Sequence, residues 1–154
     1  MNWQFSGSTG VKVVPIKALV AFLLALCAVL QAAEPVVYVG GGKTIEARRV
    51  AVDSAGNRYV TGLVYWNTIE FARFDQDIFL TKIAPDGATV YTIYFGGDGI
   101  DHVRGIAVDS AGRVYLVGST TSFNFPVVNA LQPRLNGSQD AFLCRLTPVG
   151  GFDY

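Results

Sequence analysis

Beyond residue 34 the apolar residues fall into short runs divided by Gly, Asp, Ser, Asn and Pro, and almost none recur at helical spacing. Val90 to Phe95, Val103 to Val108, Val114 to Gly118 and Ala141 to Leu146 are rich in Val, Ile, Tyr and Phe, residues that fit a pleated and half-buried surface. The pattern predicts antiparallel strands, four to a copy, with these four making up the second copy. Runs apolar at consecutive positions, such as Ile78-Phe79-Leu80, predict strands buried on both faces. Cys144 alternates with Phe142 and Leu146 and is therefore assigned to the same packed face, where a free thiol acts as a small hydrophobe.

The strand pattern repeats. Residues Val50 to Gly62 return as Ile106 to Gly118 at a shift of 56, and eight of the thirteen positions are identical, which is too close for two unrelated strands. Tyr38, Gly40 and Gly41 align with Tyr94, Gly96 and Gly97 at the same shift, and Arg48 aligns with Arg104. Asp77 to Gly87 returns as Asp140 to Gly150, now shifted by 63, so seven extra residues lie between Gly118 and Asp140. An insertion that leaves its flanking strands intact belongs in a surface loop. A period of roughly 40 to 60 residues built from strands marks an array in which no unit buries its faces alone.

The turns carry their own chemistry. Asp53-Ser54-Ala55-Gly56 and Asp109-Ser110-Ala111-Gly112 place a carboxylate where it accepts the turn's N–H groups, with glycine taking a positive φ. Pro85-Asp86-Gly87 and Pro148-Val149-Gly150 do the same work one strand later, proline presetting φ at the entry. A Tyr-x-Gly-Gly segment, an Ile/Val-Ala-Val-Asp-Ser-Ala-Gly hairpin, a Tyr-x-x-Gly strand, an Asn-Phe-Pro loop and an Asp-Ala-Phe-Leu strand follow one another. This succession resembles the bacterial SBBP repeats, named for an expected seven-bladed β-propeller, and it covers residues 36 to 154.

The resemblance implies an all-β, propeller-type chain of about two four-stranded antiparallel blades, with residues 34–92 as the first repeat and 93–154 as the second. Tyr154 aligns with Tyr91, inside a strand, and a closed propeller takes at least about four blades, so a fragment of a larger propeller is expected. Val36 to Gly41 corresponds to an outer strand without a blade of its own. A chain this short would expose strand edges and self-associate. In the first copy Tyr65-Trp66-Asn67-Thr68-Ile69-Glu70-Phe71 replaces the Phe-Pro loop. The resemblance implies a secreted or cell-surface protein and supplies no catalytic residue.

The first 33 residues are read as an export signal. Lys12 and Lys17 supply positive charge, Ala18 to Leu30 is an apolar run of 13, and Gln31-Ala32-Ala33 offers small residues for cleavage. The run falls short of the roughly 20 residues that span a bilayer. Leu26 before Cys27 is too bulky for a lipoprotein motif. After cleavage 10 basic and 12 acidic side chains remain, a net charge of −2, and only Cys144 is left of the cysteines, so no intramolecular disulfide forms. No basic run appears along the chain, which argues against nucleic acid as a partner.

Candidate chemistry is sparse. Gly96-Gly97-Asp98-Gly99-Ile100-Asp101 fits one unit of a calcium-binding glycine-rich repeat, making Asp98 and Asp101 weak calcium candidates, but such sites need stacked copies and Gly40 to Ile45 lacks both aspartates. Ser119, Thr120, Thr121 and Ser122 supply hydroxyls without a nucleophile elbow or an evident base. Neither a catalytic residue nor a cofactor is assigned. Two loops, residues 63–77 with Tyr65, Trp66, Phe71 and Phe74 and residues 119–140 with Phe123 and Phe125, are the candidate binding surfaces, since loop aromatics give rigid contact area for proteins or glycans. The alternative for Phe125-Pro126 is a satellite core under the sheet. The expected role is a non-enzymatic scaffold binding proteins or carbohydrates at the cell surface, with two alternatives: a fragment of a propeller enzyme whose acidic or histidine ligands converge on the axis, and a structural spacer.

Overall fold

The structure, a computed structural model, describes residues 36–66 and 75–154. The export-signal reading of residues 1–33 and the aromatic pair Phe71 and Phe74 lie outside the described residues. Seven strands form, β1 (Thr44–Val52), β2 (Arg58–Tyr65), β3 (Gln76–Ile83), β4 (Thr89–Phe95), β5 (Asp101–Val108), β6 (Val114–Thr120) and β7 (Asp140–Leu146), and no helix is present among the described residues. They make two antiparallel meanders, a four-stranded sheet in the order β1-β2-β3-β4 and a three-stranded sheet in the order β5-β6-β7. The fold is all-β, as the strand pattern predicts.

Two expectations change. The run Val90–Phe95, assigned from sequence to the second copy, is paired along β3 of the first sheet, from Ile78↔Phe95 to Lys82↔Tyr91. Sequence copy and sheet are therefore out of phase by one strand, because a short turn at Ala84–Ala88 makes β4 the natural hairpin partner of β3. Val36–Gly40, aligned with that strand, has no strand partner among the described residues, and Tyr38 stands exposed. In the second sheet the position of β4 begins with Phe152–Tyr154: Leu146 bridges Phe152, and Arg145 N donates to Tyr154 O at 2.8 Å.

The core lies between the sheets. Tyr59, Ile78, Leu80 and Phe95 from the first meet Val103, Val114, Leu116, Cys144 and Leu146 from the second, all buried. Each large side chain removed from water contributes about 1.5–3 kcal/mol, so this seam is what joins the repeats. The consecutive run Ile78-Phe79-Leu80 is fully buried, on both faces of β3. Cys144 takes the packed face expected of it, and burial pushes its thiol up to about 12, which leaves it protonated and unreactive. On the far face of the second sheet, Val117 and Leu143 remain exposed.

The first strand of each sheet carries a β-bulge at an equivalent place. The β1–β2 register slips between Ala47 and Arg49, leaving Arg48 as the extra residue, and the β5–β6 register slips between Val103 and Gly105, leaving Arg104. The glycines of the Tyr-x-x-Gly motifs, within β2 and β6, explain this. A Cβ at Gly62 would collide with the Glu46 carbonyl, and one at Gly118 with the His102 carbonyl and the Phe142 ring. Bare glycines let the bulged strands lean in, and a bulge re-aims the side chain it carries.

Candidate functional site: a braced loop over the junction of the sheets

At one end of β5 the sheets are closed by local turns. Asp109 Oδ1 accepts from Ala111 N (2.9 Å) and Arg113 N (3.0 Å), while Oδ2 takes the Arg113 guanidinium (2.7 Å) and the Tyr115 hydroxyl (3.2 Å). Partial burial works against the charged form, but the bonds from Arg113, Ala111 and Tyr115 outweigh it and hold the carboxyl at about 2. Asp53 repeats the arrangement with Ala55, Asn57 and Tyr59, and its carboxyl is likewise lowered. Gly56 and Gly112 have φ of 81° and 76°, the left-handed values their turns demand. Both aspartates are turn-makers.

The other end of β5 is built from residues distant in sequence. Gly97 N and Ser122 Oγ donate to Asp101 Oδ2 at 2.8 and 2.9 Å, and Ser122 Oγ accepts from Gly99 N at 2.9 Å. Asp98 N donates to Asn124 Oδ1 (2.8 Å), Phe123 N returns a bond to Asp98 Oδ1 (3.0 Å), and Ile100 N donates to Thr121 Oγ1 (2.8 Å). The glycine loop 96–99 is thereby zipped to residues 121–124. The Asp98 carboxylate thus takes Phe123 N and that of Asp101 takes Gly97 N and Ser122 Oγ, and among the described residues no three His, Cys, Asp or Glu side chains group as a metal site. The hydroxyls of Thr121 and Ser122 serve the same zipper.

Asp77 of β3 faces this junction. Its Oδ2 accepts from Trp66 Nε1 at 2.5 Å, and a Cβ on Gly96 would strike both Asp77 Oδ1 and Asp101 Oδ2, so the two carboxylates flank one glycine. Burial pushes the Asp77 carboxyl up, the Trp66 bond opposes, and the charges of Asp101 and Asp75 add to the rise. Trp66 is half-buried, edge-on to Tyr94 at 5.9 Å, with Lys43 Nζ 3.8 Å above its ring. Tyr65 bonds Glu46 Oε2 through its hydroxyl at 3.0 Å. These two aromatics are engaged with their own sheet. Leu63 and Val64 are buried in β2, and Gln76 and Asp77 open β3, so the connection expected at 63–77 narrows to 66–75.

The second connection narrows from 119–140 to 121–139, because Ser119 and Thr120 end β6 and Asp140 opens β7. It is braced at both ends. At its far end Asp140 Oδ2 accepts from Gln132 Nε2 (2.6 Å) and Asn136 N (2.7 Å). In between, the Phe125 ring packs on Phe142 at 4.9 Å and on Phe95 at 6.2 Å, which makes the satellite core offered by the second reading of Phe125-Pro126. Phe123 is left 76% exposed and Leu131 wholly so. A cavity of about 750 Å³ lies against this loop, β7 and Phe152–Tyr154. The sequence offers Asp77 as the start of a repeated strand, Ser122 as one of a run of hydroxyls and Asn124 as part of the Asn-Phe-Pro loop, and gives no sign that they meet at this junction.

Residues 90–126, from β4 through β5 and β6 to Phe125-Pro126, match the family described as the beta-propeller repeat, SBBP. No curated protein matches the chain.

Proposed function

We propose that this chain, which carries an SBBP beta-propeller repeat on an all-β scaffold of propeller type, is an exported binding protein that recognises proteins or carbohydrates through the connection between β6 and β7. One observation supports this above the others: Phe123 projects 76% exposed from a loop whose ends are fixed by Asp98 and Asp140. A large apolar ring held out by a rigid frame loses little entropy when a ligand covers it. The seven residues added to the second copy lie in this loop, and the sheets beneath it repeat. Export is supported by the basic and apolar character of residues 12–33.

The test is binding of the folded chain to an array of microbial and host glycans and to candidate surface proteins, with Phe123→Ala and Leu131→Ala beside the parent. The reading expects a ligand whose affinity falls at least about tenfold in the variants, the loss typical of an aromatic anchor, at unchanged melting temperature. Loop substitutions that leave every interaction intact would instead support a spacer.

A further inference from the structure

The two bulges lie against each other. Arg49 Nε donates to Arg104 O at 2.8 Å and Arg49 Nη1 donates to Arg48 O at 2.8 Å, so one guanidinium holds the carbonyls of both bulged residues. Arg48 and Arg104, 56 positions apart, are thereby fixed side by side on exposed backbone. The Arg49 guanidinium lies at this seam, and the charges of Arg48 and Arg104 both reach the neighbouring His102. The acid beside them is Glu46, whose carboxylate is gripped by Arg48 in a fork, Nε and Nη2 each at 2.9 Å, and by the Tyr65 hydroxyl. Those bonds, Tyr65 first and Arg48 second, lower the Glu46 carboxyl. Among the described residues the Arg104 guanidinium has no carboxylate partner. His102, on the same strand and bonded to Gln76 at 3.0 Å, has its imidazole lowered by burial and then by the positive fields of Arg104 and Arg48.

We propose that the coupled bulges form a binding site for an oxyanion, a phosphate, sulfate or carboxylate group, gripped by Arg104 together with the donors of Arg48. A guanidinium presents paired N–H donors that match two oxygens of such a group. The Glu46–Arg48 fork is the same recognition made internally, and an incoming anion competes with Glu46 for Arg48. Arg49, spent on the two backbone carbonyls, is a positioning residue that keeps the bulges together.

The experiment is titration of the folded chain with sodium phosphate, sulfate and acetate at constant ionic strength, read by calorimetry and by chemical-shift changes at the β1 and β5 amides. Saturable binding of at least one anion is expected, and the ranking of the three separates tetrahedral dianions from carboxylates. Arg104→Ala weakens it at least about tenfold, the value of one charge-assisted contact. Arg104→Lys, which keeps the charge and loses the fork, also weakens it, and Glu46→Gln tightens it by releasing Arg48. Arg113→Ala removes the same charge from the exposed turn after β5 and changes affinity less than about twofold, as screening of distant charges requires. Absence of saturation with all three anions, equal losses in Arg104→Ala and Arg113→Ala, or unchanged affinity in Glu46→Gln would each overturn the assignment.

Discussion

Asp101 and Asp109 stand at opposite ends of β5, and the carboxylate of each binds backbone N–H, yet they hold the fold in different ways. The backbone donors of Asp109 come from two and four residues onward, in a turn repeated almost letter for letter at Asp53. Asp101 takes one backbone N–H, from Gly97, and the side-chain hydroxyl of Ser122, 21 residues away, and its counterpart in the first copy is Ile45. Asp101 is fully buried, whereas the Asp109 turn faces water. One aspartate closes a turn that forms locally; the other fastens a loop to a junction that exists only when both sheets are assembled. The repeated end of the strand is therefore scaffold, and the unrepeated end is where the chain becomes individual.

The largest effect is expected between the two. Gly118→Ala puts a Cβ into the His102 carbonyl, which cannot move without undoing the bulge, so the loss should exceed about 3 kcal/mol in urea unfolding. Asp101→Ala comes next. It leaves the Gly97 amide and the Ser122 hydroxyl without their acceptor in a buried place, a loss of about 3 kcal/mol, and amide exchange at 97–99 and 121–124 should accelerate together. Asp109→Ala should lower the melting temperature by visibly less and speed exchange only at 111–113. Equal losses at the two aspartates would erase the distinction.

The smallest effect is a pair of opposed pH slopes. Asp109 has its carboxyl at about 2 in the fold and near 3.8 when unfolded, so its stabilisation is complete above 3.8 and is lost as pH falls toward 2. Asp77 has the opposite sign. Its folded carboxyl is raised, the native state holds the proton more tightly, and stability declines as pH climbs from 3.8 through the raised value. Melting temperature against pH should therefore peak in the acid range. Asp77→Asn should flatten the limb above the peak, and Asp109→Asn the limb below it; an unchanged upper limb in Asp77→Asn would mean that Asp77 is not the group responsible.

Local residues told most of the fold. Alternation and turn chemistry placed β5, β6 and β7 to within a few residues, and both Asp-Ser-Ala-Gly turns formed as their side chains demand. The phase of the sheets was not legible, because Val90–Phe95 resembles a strand equally well in either sheet, and only the short turn after Ile83 commits it to β3. The candidate site divided the same way. Phe125 was open to two readings, and the structure packs its half-buried ring on Phe95 and Phe142 while leaving Phe123 outside.

The sequence by itself determined the strands and the turns, which rest on residues within a few positions of one another, and the repeat and the place of the extra loop, which rest on comparing one such local pattern with the next. Tertiary structure alone decided which side chains share a neighbourhood. A scan along the chain finds no run of basic charge, yet glycines at 62 and 118 admit two bulges that bring Arg48, Arg49 and Arg104 together, and burial sets Asp77 against Asp101 across Gly96. Charges act through space and through the water excluded between them, and neither distance is written in residue number.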